Sequence, residues 1–140
     1  MRTQIVCVFT FMQKSTPIIG CPCDSGKPYA SCCQPLHLGE VASSALALMR
    51  SRYSAYVLNL EPYLLATWHP DTRPDKLDLE ADPIKWLGLT IVRSEKPSPT
   101  TGIVEFVARY KVDGQRAERL HEISEFIYTD AWYYVRGKLE

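Results

Sequence analysis

The apolar residues of the chain recur with a helical period first and alternate with polar residues later. Over residues 43–59 an apolar side chain stands at every third or fourth position, which is typical of an amphipathic helix. The members of this stripe are Leu46, Met49, Tyr53, Val57 and Leu60. Ser43 and Ser44 are suitable N-caps. The segment is therefore predicted to be a helix that buries one face.

A shorter helix is predicted in EPYLLATW, residues 61–68. Pro62 lies in its first turn, where the missing N–H costs nothing. The helix should end before Pro70, because the residue preceding a proline is driven out of helical geometry. Residues 71–83 are polar and interrupted by prolines, which indicates a loop with room for one helical turn. Another short helical turn is expected just after Ser31.

From residue 86 onward the pattern indicates β-strands. Residues 86–95 are predicted to form a strand, and residues 96–102 a turn or loop. The next strand has an apolar face and a charged face. The apolar face consists of Val104, Phe106, Ala108, Tyr110 and Val112, and the other face of Glu105, Arg109 and Lys111, with Ile103 and Val107 as apolar exceptions.

Two turns are predicted to connect the remaining strands. Asp113-Gly114 is a strong hairpin signal, so residues 116–129 should pair back antiparallel. Thr129-Asp130 then leads into a last strand at residues 132–136. Helices followed by a meander of strands predict an α+β domain.

Neither the net charge of the chain nor its N-terminal segment points to a particular class of partner. Sixteen basic residues balance sixteen acidic ones, which gives no indication of a nucleic-acid or membrane partner. The sequence contains no apolar run near the roughly 20 residues of a membrane-spanning helix. Residues 1–19 are interpreted as an extension of uncertain structure. Their segment IVCVFTFM is similar to a signal-peptide core but lacks a cleavage site, so a cytoplasmic location is expected, with Met12 as an alternative start of translation.

Four of the five cysteines lie in CPCDSGKPYASCC, residues 21–33. A turn at Ser25-Gly26 allows the two cysteine pairs to face one point. Four thiolates around one ion is the tetrahedral arrangement that Zn²⁺ prefers, and four protein ligands leave no open position for catalysis. Lys27 is placed to offset part of the negative charge. The sequence therefore predicts a structural zinc site whose ligands are Cys21, Cys23, Cys32 and Cys33.

Other interpretations of the cysteines stay open. Cross-paired disulfides, Cys21–Cys32 with Cys23–Cys33, are sterically feasible, although a reducing compartment disfavours them. Thiol-redox chemistry would prefer C-x-x-C, which the sequence lacks. His37 is an alternative ligand, but it is better interpreted as a surface or packing histidine. Cys7 is interpreted as a small buried residue.

The spacing C-x-C-x₈-C-C resembles the SEC-C motif, the zinc-binding tail of the protein-export ATPase SecA. Asp24 stands where that motif usually has glycine. If this position requires a positive φ, aspartate tolerates it better than most residues do, so metal binding is expected to survive. The segments that follow resemble the YchJ-like (UPF0225) family of small bacterial proteins, among them LMRSRYSAYVLNLEPYLLATWHP, VEFVARY and LHEISEF.

That resemblance covers residues 21–137 and implies a division of the chain. A zinc-binding SEC-C motif at residues 20–36 would precede, at residues 37–140, a domain similar to nuclear transport factor 2 (NTF2), a cone of helices against a curved antiparallel sheet. The sequence departs from the family in two ways. It lacks the second, C-terminal SEC-C motif of longer members, and Ile123 stands where a basic residue is common, which weakens any pocket role for that position.

A curved sheet wrapped by helices forms a natural pocket, which serves enzymes and binding proteins alike. The side chains predicted to line it are Arg50, Arg52, Tyr53, Trp68, His69, Trp86, Arg109, His121 and Glu122. A histidine near Glu105 or Glu122 would be capable of proton transfer, but His69 is also suited to capping a helix end. The sequence has no nucleophile elbow, phosphate-binding glycine loop or HExxH motif. No catalytic residue is therefore assigned.

The leading hypothesis is a cytoplasmic zinc-binding protein whose SEC-C motif docks onto a protein partner. The resemblance to SecA implies a partner in the export or translation machinery. The alternative is an enzyme or small-ligand-binding protein that acts through the pocket, with zinc only stabilising the N-terminal part, and a zinc reservoir is a third hypothesis. The length of the chain is compatible with a monomer or a homodimer.

Overall fold

The computed structural model describes residues 20–81 and 83–140, so the predictions for the N-terminal extension, Cys7 and Met12 lie outside the described residues. A 3₁₀ turn at Tyr29–Ser31 precedes three helices. These are α1 (Gln34–His37), α2 (Ala45–Val57) and α3 (Glu61–Ala66). One antiparallel sheet follows, with strands β1 (Ile84–Ser98), β2 (Thr101–Val112), β3 (Glu118–Tyr128) and β4 (Trp132–Leu139) in that spatial order. The predicted α+β meander is confirmed.

Helix α2 begins where a side chain satisfies its first free backbone donors. The Ser44 hydroxyl accepts a hydrogen bond from the Ala47 N–H at 3.0 Å, so Ser44 rather than Ser43 is the N-cap. The predicted apolar stripe is only part of the buried surface of α2. Residues outside that stripe are also buried, namely Ala45, Leu48, Ser51, Arg52, Ser54 and Ala55. The helix is enclosed on several sides because the cysteine loop, α3 and the sheet all pack against it.

Helix α3 ends at Ala66, earlier than Pro70 alone would require. The chain then runs beside β4. Trp68 forms a parallel bridge with Tyr134, and the His69 N–H donates to the Tyr134 carbonyl at 2.8 Å. Pairing with a strand distant in sequence therefore ends the helix.

The segment predicted to be a loop at residues 96–102 is mostly strand, which corrects the sequence analysis. Strand β1 continues to Ser98 and β2 begins at Thr101, whose hydroxyl lies 2.8 Å from that of Ser98. Pro97 is tolerated because β1 is an edge strand, and a register shift between Glu95 and Ser98 accommodates it. In the sequence, the prolines suggested a loop because proline lacks the N–H that strand pairing needs. On an edge strand that N–H can face solvent, so proline is compatible with the strand.

The inner face of the sheet forms the core with α2. Val104, Phe106 and Ala108 are buried there, as the alternation in β2 predicted, together with Phe126 and Trp132. The outer face carries charged residues of neighbouring strands. Within the described part of the chain, no helix combines the length and apolar character that crossing a bilayer requires.

Candidate metal centre and the pocket beside it

The four cysteine sulfurs of the N-terminal motif converge on one point. Each Sγ atom lies within 4.8 Å of the other three. The Sγ of Cys32 lies 3.6 Å from that of Cys23 and 3.9 Å from that of Cys33. A tetrahedral site with Zn–S distances of ~2.3 Å has S–S edges of about 3.8 Å. The donor set therefore fits a four-thiolate metal site.

The same four cysteines are free thiols. The 3.6 Å between the sulfurs of Cys23 and Cys32 exceeds the ~2.05 Å of a disulfide bond. Cys23 and Cys33 are fully buried, Cys21 nearly so, and Cys32 is partly exposed. Three of the sulfurs thus belong to the same buried cluster as α2 and the sheet.

Two residues with positive φ shape the loop between the cysteine pairs. Asp24 has a φ of 61° and Gly26 a φ of 88°. The Cys21 N–H donates to the Lys27 carbonyl at 2.9 Å, which closes the loop. Asp24, in the place where the SEC-C motif usually has glycine, therefore has the left-handed conformation that aspartate tolerates better than most residues do.

Hydroxyl groups surround the sulfurs. The Ser25 Oγ lies 3.1 Å from the Cys32 Sγ. The Ser54 hydroxyl of α2 donates to the Cys33 Sγ at 3.3 Å and lies 3.6 Å from the Cys21 Sγ. Hydrogen bonds to the charged form of a ligand stabilise it, so these hydroxyls favour thiolates.

A cation from α2 also reaches the sulfurs. One terminal guanidinium nitrogen of Arg50 donates to the Cys23 carbonyl at 2.9 Å and lies 3.8 Å from the Cys23 Sγ. From the sequence, this charge-offsetting role was predicted for Lys27, and Arg50 was placed in the pocket. Arg50 lies instead beside Cys23 at the candidate metal centre. It points in a different direction from Arg52 because residues two apart on a helix do not share a face.

Hydrogen bonds among the thiols drive their pKa values apart. The Cys33 thiol lowers the pKa of Cys23 to about 4 by hydrogen bonding to its sulfur. That same hydrogen bond, together with burial, raises the pKa of Cys33. Metal binding requires thiolates and would therefore release the thiol protons of the cluster.

His37 is a packing residue. Its Nε2–H donates to the Ser51 carbonyl at 2.8 Å, and its Nδ1 accepts from the Tyr29 hydroxyl at 2.8 Å. Both ring nitrogens therefore have partners. Burial lowers the pKa of His37, which favours this neutral form. The histidine connects the 3₁₀ turn of the cysteine motif to α2.

A cavity of about 220 Å³ lies between α2 and the inner face of the sheet. Its walls are mostly aromatic. Polar atoms from α2, β3 and β4 reach it. The residues that line it include Arg52, Tyr53, Tyr56, Trp86, Phe106, Glu122, Ser124, Phe126 and Tyr134.

Five of the nine predicted pocket residues do not line this cavity, which corrects the sequence analysis. Arg52, Tyr53, Trp86 and Glu122 do line it. Trp68 lies behind Arg52 and packs edge-on against Tyr134. The others are Arg50 at the metal centre, His69 beside Asp71, Arg109 on the Leu87 carbonyl and His121 on Glu105.

The positions of Arg109 and His121 follow from strand alternation. His121 pairs with Val107 in the register of β2 and β3, and Val107 is on the outer face, opposite the helices. His121 Nε2 lies 2.6 Å from one carboxylate oxygen of Glu105. Arg93 donates to the other oxygen of the same carboxylate. Ile123 is on the outer face as well, opposite Glu105. Its departure from the family pattern therefore leaves the cavity unchanged.

Comparison with known proteins decides the family. Residues 44–137 match a family model described as the middle NTF2-like domain of YchJ. The chain belongs to the YchJ family. A UPF0225 protein of Chromobacterium violaceum is 55% identical over 125 residues, which cover 84% of this chain and 90% of that protein. A UPF0225 protein of Bordetella pertussis is 50% identical over 124 residues, covering 86% and 92%.

Two solved structures share the fold of this YchJ-family chain. The solution structure of a SEC-C motif containing protein from Rhodopseudomonas palustris matches with a TM-score of 0.76 and 35% identity, covering 85% of this chain and 97% of that one. The crystal structure of a SEC-C motif containing protein from Psychrobacter arcticus matches with a TM-score of 0.72 and 29% identity, covering 90% and 84%. The NTF2-like fold implied by the sequence is confirmed.

Sequence reasoning about this YchJ-family protein named Glu122 as a pocket residue but missed Ser124 and Phe126. Glu122 pairs with Phe106 and therefore shares the inner face with Ser124 and Phe126. The alternation of HEISEF contained this signal, but Ser124 resembles a solvent-facing residue in sequence. No sequence signal places Arg50 beside Cys23, since 27 residues separate them.

Proposed function

We propose that this YchJ-family protein binds one Zn²⁺ ion through the four cysteines of its SEC-C motif and that the metal is structural. The convergence of four sulfurs within 4.8 Å of one another carries the proposal. Four thiolate ligands complete a tetrahedron and leave no position for a substrate. When bound, the ion supplies folding free energy to a loop too short to form a core. The site needs reduced thiols, which agrees with a cytoplasmic location.

Metal content tests this proposal. Protein purified under reducing conditions should contain about one Zn²⁺ per chain, the stoichiometry of a Cys₄ site. Cys32→Ser should lose the metal, because three thiolates and a hydroxyl bind Zn²⁺ poorly. Cys7→Ser is the matched control and should keep it. A full zinc complement in Cys32→Ser, or a wild type without metal, contradicts the four-thiolate assignment.

We infer further that the rim of the SEC-C motif docks onto a protein partner. A groove of about 530 Å³ runs beside Cys32, bounded by the turn at Ser25 and by the start of α2. Lys27 and Arg50 line it, and Glu40 is the only carboxylate among its described lining residues. Val41, 65% exposed, supplies an aliphatic edge. Cations beside an exposed aliphatic surface suit a partner that presents acidic and aliphatic side chains.

The likeness of the motif to that of SecA supports a partner from the export or translation machinery. Binding is measured with the purified export chaperone that SecA engages and with purified ribosomes. Lys27→Glu and Val41→Glu should weaken binding at least ~10-fold, a loss of about 1.4 kcal/mol, while metal content stays unchanged. Val92→Glu alters an exposed residue of β1 outside the groove and is the matched control. If the protein binds neither the chaperone nor the ribosomes, the docking proposal is contradicted, while the metal assignment stays intact.

A further inference from the structure

Arg52 is a buried cation that the protein itself only partly satisfies. It is 5% exposed and forms no salt bridge with any described residue. One terminal nitrogen donates to the Leu64 carbonyl at 2.8 Å and to the Thr67 hydroxyl at 2.7 Å. Within the described residues the other two guanidinium nitrogens have no hydrogen-bond partner. Since Arg52 lines the cavity, these donors are available to a molecule inside it.

Two aromatic rings hold this guanidinium in place. Its central carbon lies 4.5 Å from the ring centre of Tyr134 and 5.1 Å from that of Trp68. The rings offset part of the cost of burying the charge and fix its position. They supply no hydrogen-bond acceptor for its remaining N–H groups.

Glu122 brings the opposite charge to the same cavity. One oxygen of its carboxylate accepts hydrogen bonds from the Ser124 hydroxyl at 2.7 Å and the Tyr134 hydroxyl at 3.3 Å. The other oxygen has no partner among the described residues. Glu122 and Arg52 form no salt bridge with each other, and both line the cavity, so the cavity presents a donor and an acceptor separately.

The rest of the cavity is aromatic and small. Trp86 packs edge-on against Tyr53 with ring centres 5.8 Å apart, and Tyr56 and Phe106 extend the same wall. Flat rings in edge contact accept another ring readily. The volume of about 220 Å³ is below the roughly 300–1,000 Å³ of drug-sized sites, which limits the occupant to a small molecule.

From this arrangement we propose that the cavity binds a small aromatic zwitterion, with its carboxylate on Arg52, its ammonium on Glu122 and its ring beside Trp86. A simple anion would be repelled by Glu122 and a simple cation by Arg52, whereas a zwitterion satisfies both groups. The assignment is independent of the metal site. Binding of a small molecule in the cavity would be a second function, separate from the docking of the SEC-C motif onto a protein partner.

Three probes that differ by one group test the proposal on the zinc-loaded full chain. These are L-phenylalanine, 3-phenylpropionate, which lacks the ammonium, and phenethylamine, which lacks the carboxylate. Binding is followed by titration in NMR spectra. L-Phenylalanine should shift resonances of the cavity residues and bind at least ~10-fold more tightly than either truncated probe. Equal binding of the three probes, or no shifts with L-phenylalanine up to about 10 mM, overturns the proposal.

A charge-neutral variant tests the assigned orientation. Arg52→Met would remove the hydrogen bonds to Leu64 and Thr67 that hold α3, and so it could prevent folding. Glu122→Gln is therefore the variant of choice. Its amide oxygen still accepts hydrogen bonds from Ser124 and Tyr134. It should reverse the preference, with 3-phenylpropionate binding more tightly than L-phenylalanine. Glu125→Gln, on the outer face of β3, is the matched control and should leave the preference as in the wild type. An unchanged preference in Glu122→Gln overturns the assignment.

Discussion

The Asp24 carboxylate accepts a hydrogen bond from the Leu89 backbone N–H at 2.9 Å, across 65 residues of sequence. Asp24 occupies a left-handed position in the cysteine loop, and Leu89 lies in the middle of β1. The residue that departs from the usual SEC-C pattern thus attaches the motif to the sheet. A glycine there would adopt the same backbone conformation but would lack this hydrogen bond.

Replacing Asp24 should destabilise the protein for two separable reasons. Asp24→Ala should lower the free energy of unfolding by about 2 kcal/mol, roughly half from placing alanine at positive φ and half from the lost hydrogen bond. Asp24→Asn keeps an acceptor and tolerates the conformation, so it should cost less than about 1 kcal/mol. Urea unfolding of the zinc-loaded protein measures both.

Asp78 provides the matched control for that experiment. It also has a positive φ, 55°, but its described side-chain contact is an exposed ion pair with Lys76 at 3.8 Å. Asp78→Ala should therefore show the conformational cost of about 1 kcal/mol alone. If Asp24→Ala costs no more than Asp78→Ala, the hydrogen bond to Leu89 contributes nothing to stability.

Arg50 should tune the affinity of the metal centre without being a ligand. Arg50→Met keeps the four thiolates but removes the cation 3.8 Å from the Cys23 sulfur. Zinc affinity should fall about 10-fold, as for other residues that support metal ligands, while the stoichiometry stays at one ion per chain. Competition with a chromophoric chelator measures the change. Arg136→Met, which removes an exposed ion pair with Glu125, should leave the affinity unaltered.

Gly102 marks the closest approach of β2 to the start of α2. A Cβ atom at this position would lie 2.6 Å from the Ala45 Cβ and 3.4 Å from the Trp132 ring. Gly102→Ala should therefore cost about 1–3 kcal/mol through overpacking of the core. Gly20→Ala, where a Cβ meets none of the described atoms within 4 Å, is the control and should be near neutral. Equal urea midpoints for the two variants would contradict the overpacking prediction, because they would show that α2 moves to accommodate the added methyl group.

His37 should make stability depend on pH between neutrality and mild acid. Its pKa in the folded protein lies below the ordinary 6.5 because burial disfavours the charged ring. The unfolded chain then binds more protons, so this contribution is present above pH 6.5 and is lost as the pH falls through the folded pKa.

His37→Gln has no proton to gain in this range. The stability difference between wild type and variant should therefore shrink from pH 7.5 towards about pH 5.5. Comparing the two proteins at each pH removes effects they share, such as zinc release. A difference that stays constant across this range would contradict the buried, neutral assignment.

Alternation placed Phe106 and Ala108 on the core face of β2 correctly, and helical spacing located α2 to within two residues. These predictions held because each pattern depends on neighbours within one element. Arg109 and His121 were assigned to the pocket as polar residues, but neither lines the cavity. Alternation had already placed Arg109 on the charged face of β2, so its pocket assignment disregarded that pattern. The face of His121 follows from the pairing of β3 with β2, which composition does not reveal.

By itself, the amino-acid sequence determined the elements, their order and the grouping of the cysteines, because spacing and turn chemistry act over a few residues. Only the tertiary structure decided which distant groups meet. It brought Asp24 to Leu89, Arg50 to Cys23, and Arg52 into one cavity with Glu122. These contacts follow from how α2 lies between the cysteine loop and the sheet, and long-range packing of that kind is set by the whole chain rather than by any one segment.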